Sequence, residues 1–192
     1  MTFVASIAPA DSRAGDRLSI HPAGPIADQD VADFRRDGVI CLRGMFDADW
    51  CRVLHDAAIA VMDSGKGRVR EPKLAAGQGR FYSNVYLSDL DERFRRLRER
   101  SPAPEIAARL MGVDQVRYFY DQLFVKTPGT AAPTPWHNDL PFWPFQGEDL
   151  VSIWIALTPV TRDTSGVQYV AGSHRWNQMF RAITPDQDPR FM

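Results

Sequence analysis

An α+β domain, or a barrel left partly open, is the architecture this sequence predicts. Helix-period apolar stripes with helix caps occupy the chain as far as Gly112. Beyond it, β-branched and aromatic runs are bounded by Pro-Gly and Ser-Gly turns. Helical elements followed by strands are what a helix layer packed on a mainly antiparallel sheet requires. The 192 residues contain no internal repeat and are enough to bury the core of one domain.

Residues 1–25 are rich in Ala, Pro, Gly and Asp without periodicity, and a loose arm is expected there, with the folded domain over 26–192. Ala27 to Asp37 reads as a short helix, with Val31 and Phe34 on its apolar side and Gly38 as its stop. Val39 to Leu42 reads as a buried strand. Asp47 is placed to cap the next helix, whose stripe is Trp50, Val53, Leu54, Ala57, Ala58 and Val61, ending near Gly65. His55 falls off that stripe and is expected at the surface. Lys66 to Arg80 is a polar, glycine-containing loop, and Phe81 to Leu87 alternates weakly as a strand.

Asp89 to Arg100 interleaves Arg93, Arg95, Arg96, Arg98 and Arg100 with carboxylates, the pattern of a solvated, salt-bridged helix face. Pro104 to Met111 is a further helix, stopped by Gly112. Three strands are then expected, at Val116 to Lys126, Val151 to Leu157 and Val167 to Val170.

A formal net charge of −1 gives no field to attract nucleic acid or an anionic membrane. No apolar run is long enough to span a bilayer, the N-terminus lacks the pattern of a signal peptide, and Cys41 and Cys51 make no metal or redox motif. Free thiols, a cytoplasmic location and a small-molecule partner are the expectation.

One stretch carries chemistry. His137 and Asp139 stand two apart in Trp136-His137-Asn138-Asp139, so on an extended backbone both side chains leave from the same face. A neutral imidazole and a carboxylate reaching one cation supply two thirds of the facial triad that holds non-haem Fe(II) with positions open for co-substrate and O2. By itself the pair reads equally as a surface turn in which Asp139 caps the backbone and His137 is solvated.

The order of segments adds to this. Phe34-Arg35-Arg36-Asp37-Gly38-Val39-Ile40, Val125-Lys126-Thr127-Pro128-Gly129, Trp136 to Phe145, Ser152 to Leu157 and Gly166 to His174 together resemble the phytanoyl-CoA dioxygenase family of Fe(II)/2-oxoglutarate oxygenases. The resemblance spans about residues 28 to 177. It implies a double-stranded β-helix, a cupin-like jelly roll with N-terminal helices on one sheet. It further implies hydroxylation of an unactivated C–H, with 2-oxoglutarate and O2 consumed and succinate and CO2 released.

The resemblance implies that His137 and Asp139 are iron ligands and that Lys126, Asn138 and Trp154 border 2-oxoglutarate. Each of the latter three also has an ordinary reading, as a solvated lysine, an outward amide and a core aromatic. Trp136, Phe142, Trp143 and Phe145 are candidates for a dry wall, or for plain core. His174, in the Gly-Ser-His element, looks structural.

The family's second iron-binding His and its 2-oxoglutarate Arg lie beyond that element, and neither occurs before Met192. The expectation is an N-terminal portion of a longer enzyme, or a shortened member with an incomplete barrel. Two rivals follow: a non-catalytic jelly-roll binding module that has lost the complete metal site, and a zinc hydrolase using His137, Asp139 and His174.

Overall fold

The structure, a computed structural model, describes residues 2–5, 18–130, 133–144, 147 and 149–180. Four helices, α1 (Asp28–Asp37), α2 (Ala48–Ser64), α3 (Glu92–Arg100) and α4 (Ala103–Met111), accompany one sheet, against which α2 and α3 pack. Its strands are β1 (Thr2–Ala5), β2 (Phe81–Val85), β3 (Gln122–Lys126) and β4 (Trp154–Ala156), in the order β2-β3-β1-β4. β2 and β3 run antiparallel, whereas β1 lies parallel to both β3 and β4.

Strand alternation gives the sheet two unlike faces. Tyr82, Leu123, Val125 and Ile155 point to the helices and join Trp50 and Phe94 in the main core. Gln122 and Trp154 both pair with Thr2 in register and so share the opposite face, together with Phe124 and Lys126. A smaller core joins Val31 of α1 to Ile106 and Leu110 of α4.

The helix ends follow the sequence closely. The Asp47 carboxylate accepts from Trp50 N at 2.8 Å, and Phe46 packs edge-on to Trp50 with centroids 6.4 Å apart. α3 carries the ion pairs Arg95–Glu92 and Arg98–Glu99, with Arg93 held by Asp91 at its cap, so this arginine face is neutralised locally. Among the described residues no helix is long and apolar enough to cross a membrane.

The strands depart from expectation where a partner is missing. Val39 to Leu42 joins no strand among the described residues, with Ile40 and Leu42 packed on the smaller core. The strand expected from Val116 begins only at Gln122, leaving Tyr118 and Phe119 39% and 42% exposed. Val167 to Val170 is coil, and among the described residues no strand lies beside it to form a ladder. The jelly roll is therefore not formed by the described residues, which build mixed helix and sheet.

Thr2–Ala5, within the stretch expected to be a loose arm, forms a strand. It fills a gap one strand wide and satisfies backbone groups of both β3 and β4. Further along the same stretch, Ser19 O accepts from Trp50 Nε1 at 2.7 Å. His55 is a correction: it is 7% exposed, because it lies one turn from both Cys51 and the buried Ala58, on the flank of the stripe.

Asp121, 1% exposed, fixes the entry to β3. Its carboxylate accepts from Leu87 N, Ser88 N and the Ser88 hydroxyl, and its carbonyl accepts from Tyr86 N at 2.9 Å. These bonds bind the turn after β2 to the residues that lead into β3.

Candidate metal centre

The His137 segment is linked to Gln122, which lies on the sheet face opposite the main core. Trp143 Nε1 donates to the Tyr120 hydroxyl at 3.1 Å, which donates to Gln122 Oε1 at 3.2 Å. Gln122 Nε2 then donates to the Ser83 hydroxyl at 3.1 Å. This polar run ties the His137 segment to the first residue of β3.

His137 Nδ1 lies 2.7 Å from the Pro135 carbonyl, which can only accept, so Nδ1 carries the proton. In the neutral imidazole Nε2 is then a bare lone pair, and it lies 3.2 Å from Asp139 Oδ1. Two electron-pair donors at that separation repel unless a proton or a metal ion joins them.

With a proton between them, the contact shifts both groups. The Asp139 carboxylate holds the His137 imidazolium above its ordinary range, against partial burial. His137 in turn holds Asp139 below the usual carboxylate range, helped by the Ser152 hydroxyl, which donates to Oδ2 at 3.3 Å. The His137 ring also packs edge-on against Phe142 at 5.6 Å. Orienting a ligand imidazole through its other nitrogen, and a ligand carboxylate through its other oxygen, is what metal sites commonly do. Sequence reasoning missed both orienting groups, although Pro135 and Ser152 flank the motif and the next strand.

The other expected residues scatter. Trp154 lies on the same sheet face as Gln122, and its Nε1–H is buried with no acceptor among the described residues. Lys126 closes β3, about 13 Å along the strand from Gln122. Its ammonium stands 4.8 Å over the Phe81 ring, and burial lowers its pKa from the ordinary value. Asn138 Oδ1 accepts from Phe180 N at 3.4 Å. Of the expected aromatic wall, Trp143 packs on Phe119 and Tyr120, but Trp136 is 65% exposed and Phe142 42%. Phe145 lies outside the described residues.

His174 is far from this chemistry in role. Its Nε2 meets the Arg35 carbonyl at 3.2 Å, Gly172 N donates to the Asp37 carbonyl at 2.7 Å, and Arg175 donates to the Arg36 carbonyl. Three consecutive orphan carbonyls at the C-terminus of α1 are thus satisfied by one short element, two of its donors being basic side chains. Gly38, at φ +75°, admits the His174 ring where any Cβ would overlap it. The zinc triad is thereby removed, and no group of three or more His, Cys, Asp or Glu suited to a metal occurs among the described residues.

A family model described as phytanoyl-CoA dioxygenase (PhyH) matches residues 34–191. No curated protein and no solved structure matches the chain.

Proposed function

The chain belongs to the phytanoyl-CoA dioxygenase family, and on that premise we propose that it is a 2-oxoglutarate-dependent non-haem iron oxygenase hydroxylating a C–H bond of a small organic substrate. One observation carries the proposal: the Pro135 carbonyl holds the His137 tautomer so that Nε2 and Asp139 Oδ1 converge at 3.2 Å. Adjacent ligands at about 2.1 Å from one ion subtend close to that separation, so the pair fits a divalent metal without rearrangement. Bound there with 2-oxoglutarate and O2, iron supplies the oxidising chemistry.

The chain's own residues then bind and orient. His137 and Asp139 hold the ion, Ser152 keeps the carboxylate turned toward it, and the Phe142 edge limits rotation of the imidazole. Trp154 is the best supported of the three co-substrate residues. A buried indole N–H without an acceptor is costly, and a keto-acid oxygen would satisfy it. Lys126 supplies a partly desolvated cation on the same face for a carboxylate, and Asn138 retains its amide N–H2 for a second oxygen.

A non-catalytic module is the second reading, favoured by the lack of a third ligand beside the pair among the described residues. Turnover separates the two. Oxygenase function predicts succinate from 2-oxoglutarate in the presence of Fe(II) and O2, abolished by His137→Ala. Absence of both metal uptake and succinate would favour the module.

A further inference from the structure

We propose that Arg68 anchors a carboxylate of the substrate, at the outer end of an aromatic wall formed by Tyr86, Tyr120 and Trp143. The assignment rests on the oxygenase reading for the word substrate, and on the following contacts for the anchor.

The Arg68 guanidinium carbon stands 4.9 Å over the Tyr86 ring. Tyr86 meets Tyr120 at 6.0 Å between centroids, and Tyr120 meets Trp143 at 6.2 Å. Trp143 follows Phe142, whose ring touches His137. Ring contacts therefore link Trp143 through Tyr120 and Tyr86 to the Arg68 cation, and the chain itself joins Trp143 to Phe142 beside the metal pair. A guanidinium stacked on an aromatic ring keeps its in-plane N–H fork free for a carboxylate.

Among the described residues the cation forms no ion pair, and its backbone is held. Nearby Arg80 is matched to Glu71, yet Arg68 has no carboxylate partner among the described residues. On one side of it, the fully buried Asn84 donates from Nδ2 to the Lys66 carbonyl at 2.8 Å. Gly67, at φ +97°, presses against Asn84 and Leu90, where a Cβ would come within 2.6 Å of each. On the other side, Arg70 and Ser83 exchange two backbone hydrogen bonds of 2.7 and 2.8 Å. An exposed arginine in a polar loop does not need a buried asparagine and a close-packed glycine beneath it; a preorganised binding group does.

Tyr86 points the same way. It adopts a left-handed conformation, φ 60° and ψ 44°, that a side-chain-bearing residue seldom takes. The Asp121 carbonyl, accepting from Tyr86 N, holds it there. Such outliers persist where the surroundings over-determine them, and they gather at ligand sites. Here the outcome is a ring set between Arg68 and Tyr120. The substrate class is a carboxylate joined to an aromatic or apolar body, the body lying along the wall and the carboxylate in the Arg68 fork.

The test titrates the full chain with 4-phenylbutanoate and with 4-phenylbutan-1-ol, following heat or tryptophan fluorescence. The carboxylate should bind about tenfold tighter than the alcohol, and Arg68→Gln should bring the two within about twofold while leaving alcohol affinity unchanged. Arg68→Lys, which keeps charge but loses the fork, should fall between. Equal binding of both compounds, binding of neither, or a preference that survives Arg68→Gln overturns the anchor. Mn(II) uptake, read separately, should be the same in wild type and Arg68→Gln. Wild-type chain that takes up no Mn(II) but prefers the carboxylate would sink the oxygenase reading and leave the anchor standing.

Discussion

At the scale of single residues, the Pro135 carbonyl, by accepting a hydrogen bond from His137 Nδ1–H, decides how His137 and Asp139 respond to pH. His137 is raised and Asp139 lowered, so their contact stabilises the fold between those two folded-state values. The His share is complete below the ordinary imidazole range and is lost as pH rises through the raised His137 value. The Asp share is complete above the ordinary carboxylate range and is lost as pH falls through the lowered Asp139 value. Metal binding runs against the first of these, because a ligand imidazole must give up its Nε2 proton. Asp139→Asn should move the His137 midpoint down, read from the imidazole proton shifts in an NMR titration. An unmoved midpoint would mean that the 3.2 Å contact does not exist in solution.

Gly38 is a second residue-scale test. Its left-handed φ and the His174 ring both exclude a Cβ, whereas Gly65, at φ +63°, has nothing within 4 Å of the same position. Gly65→Ala should cost about 1 kcal/mol and Gly38→Ala roughly 2–4, compared by urea unfolding. Equal losses would show that His174 does not pack there. Gly38 and His174 were each legible in the sequence as parts of motifs. Their contact was not, because 136 positions separate them and neither carries a pattern that names the other.

Among elements, the Gly172 to Arg175 turn acts as the cap of α1. His174→Ala removes a donor from the helix carbonyls and should cost about 1 kcal/mol in urea unfolding, with Mn(II) affinity unchanged. Loss of metal affinity would instead return His174 to the site. The turn held by Asp121 is the tighter joint. Asp121→Ala leaves the buried Leu87 and Ser88 N–H groups without an acceptor and should lower stability by roughly 2–4 kcal/mol, seen as a fall in Tm.

Helices were readable because their signals are local. Asp47, Gly38, Gly65 and Gly112 stand at the ends of the elements they stop or start. Strand lengths were not, because a β-branched run becomes a strand only beside a partner. Val116 to Tyr120 and Val167 to Val170 join no strand ladder among the described residues, while the unpatterned Thr2–Ala5 pairs with two strands. His55 was misplaced for a related reason: the width of a buried face depends on what packs over it.

Over the whole molecule, the main core lies on one face of the sheet, while Gln122 and Trp154 lie on the other. Through Trp143 and Tyr120 the His137 segment is tied to Gln122, away from the core that stabilises the chain. Shallow grooves of about 560 and 490 Å³ flank α4 and include none of the proposed site residues. The pair itself is open, its side chains 29% and 50% exposed. Position and orientation, rather than enclosure, are what the described residues provide, and a shared cation is the requirement they express. Mn(II) titration of the full chain by calorimetry near neutral pH, with 2-oxoglutarate present, reads that requirement. One ion per chain is predicted for the wild type and for His174→Ala, and none for His137→Ala or Asp139→Ala. Absence of uptake by the wild type, or uptake untouched by both substitutions, would contradict the shared site.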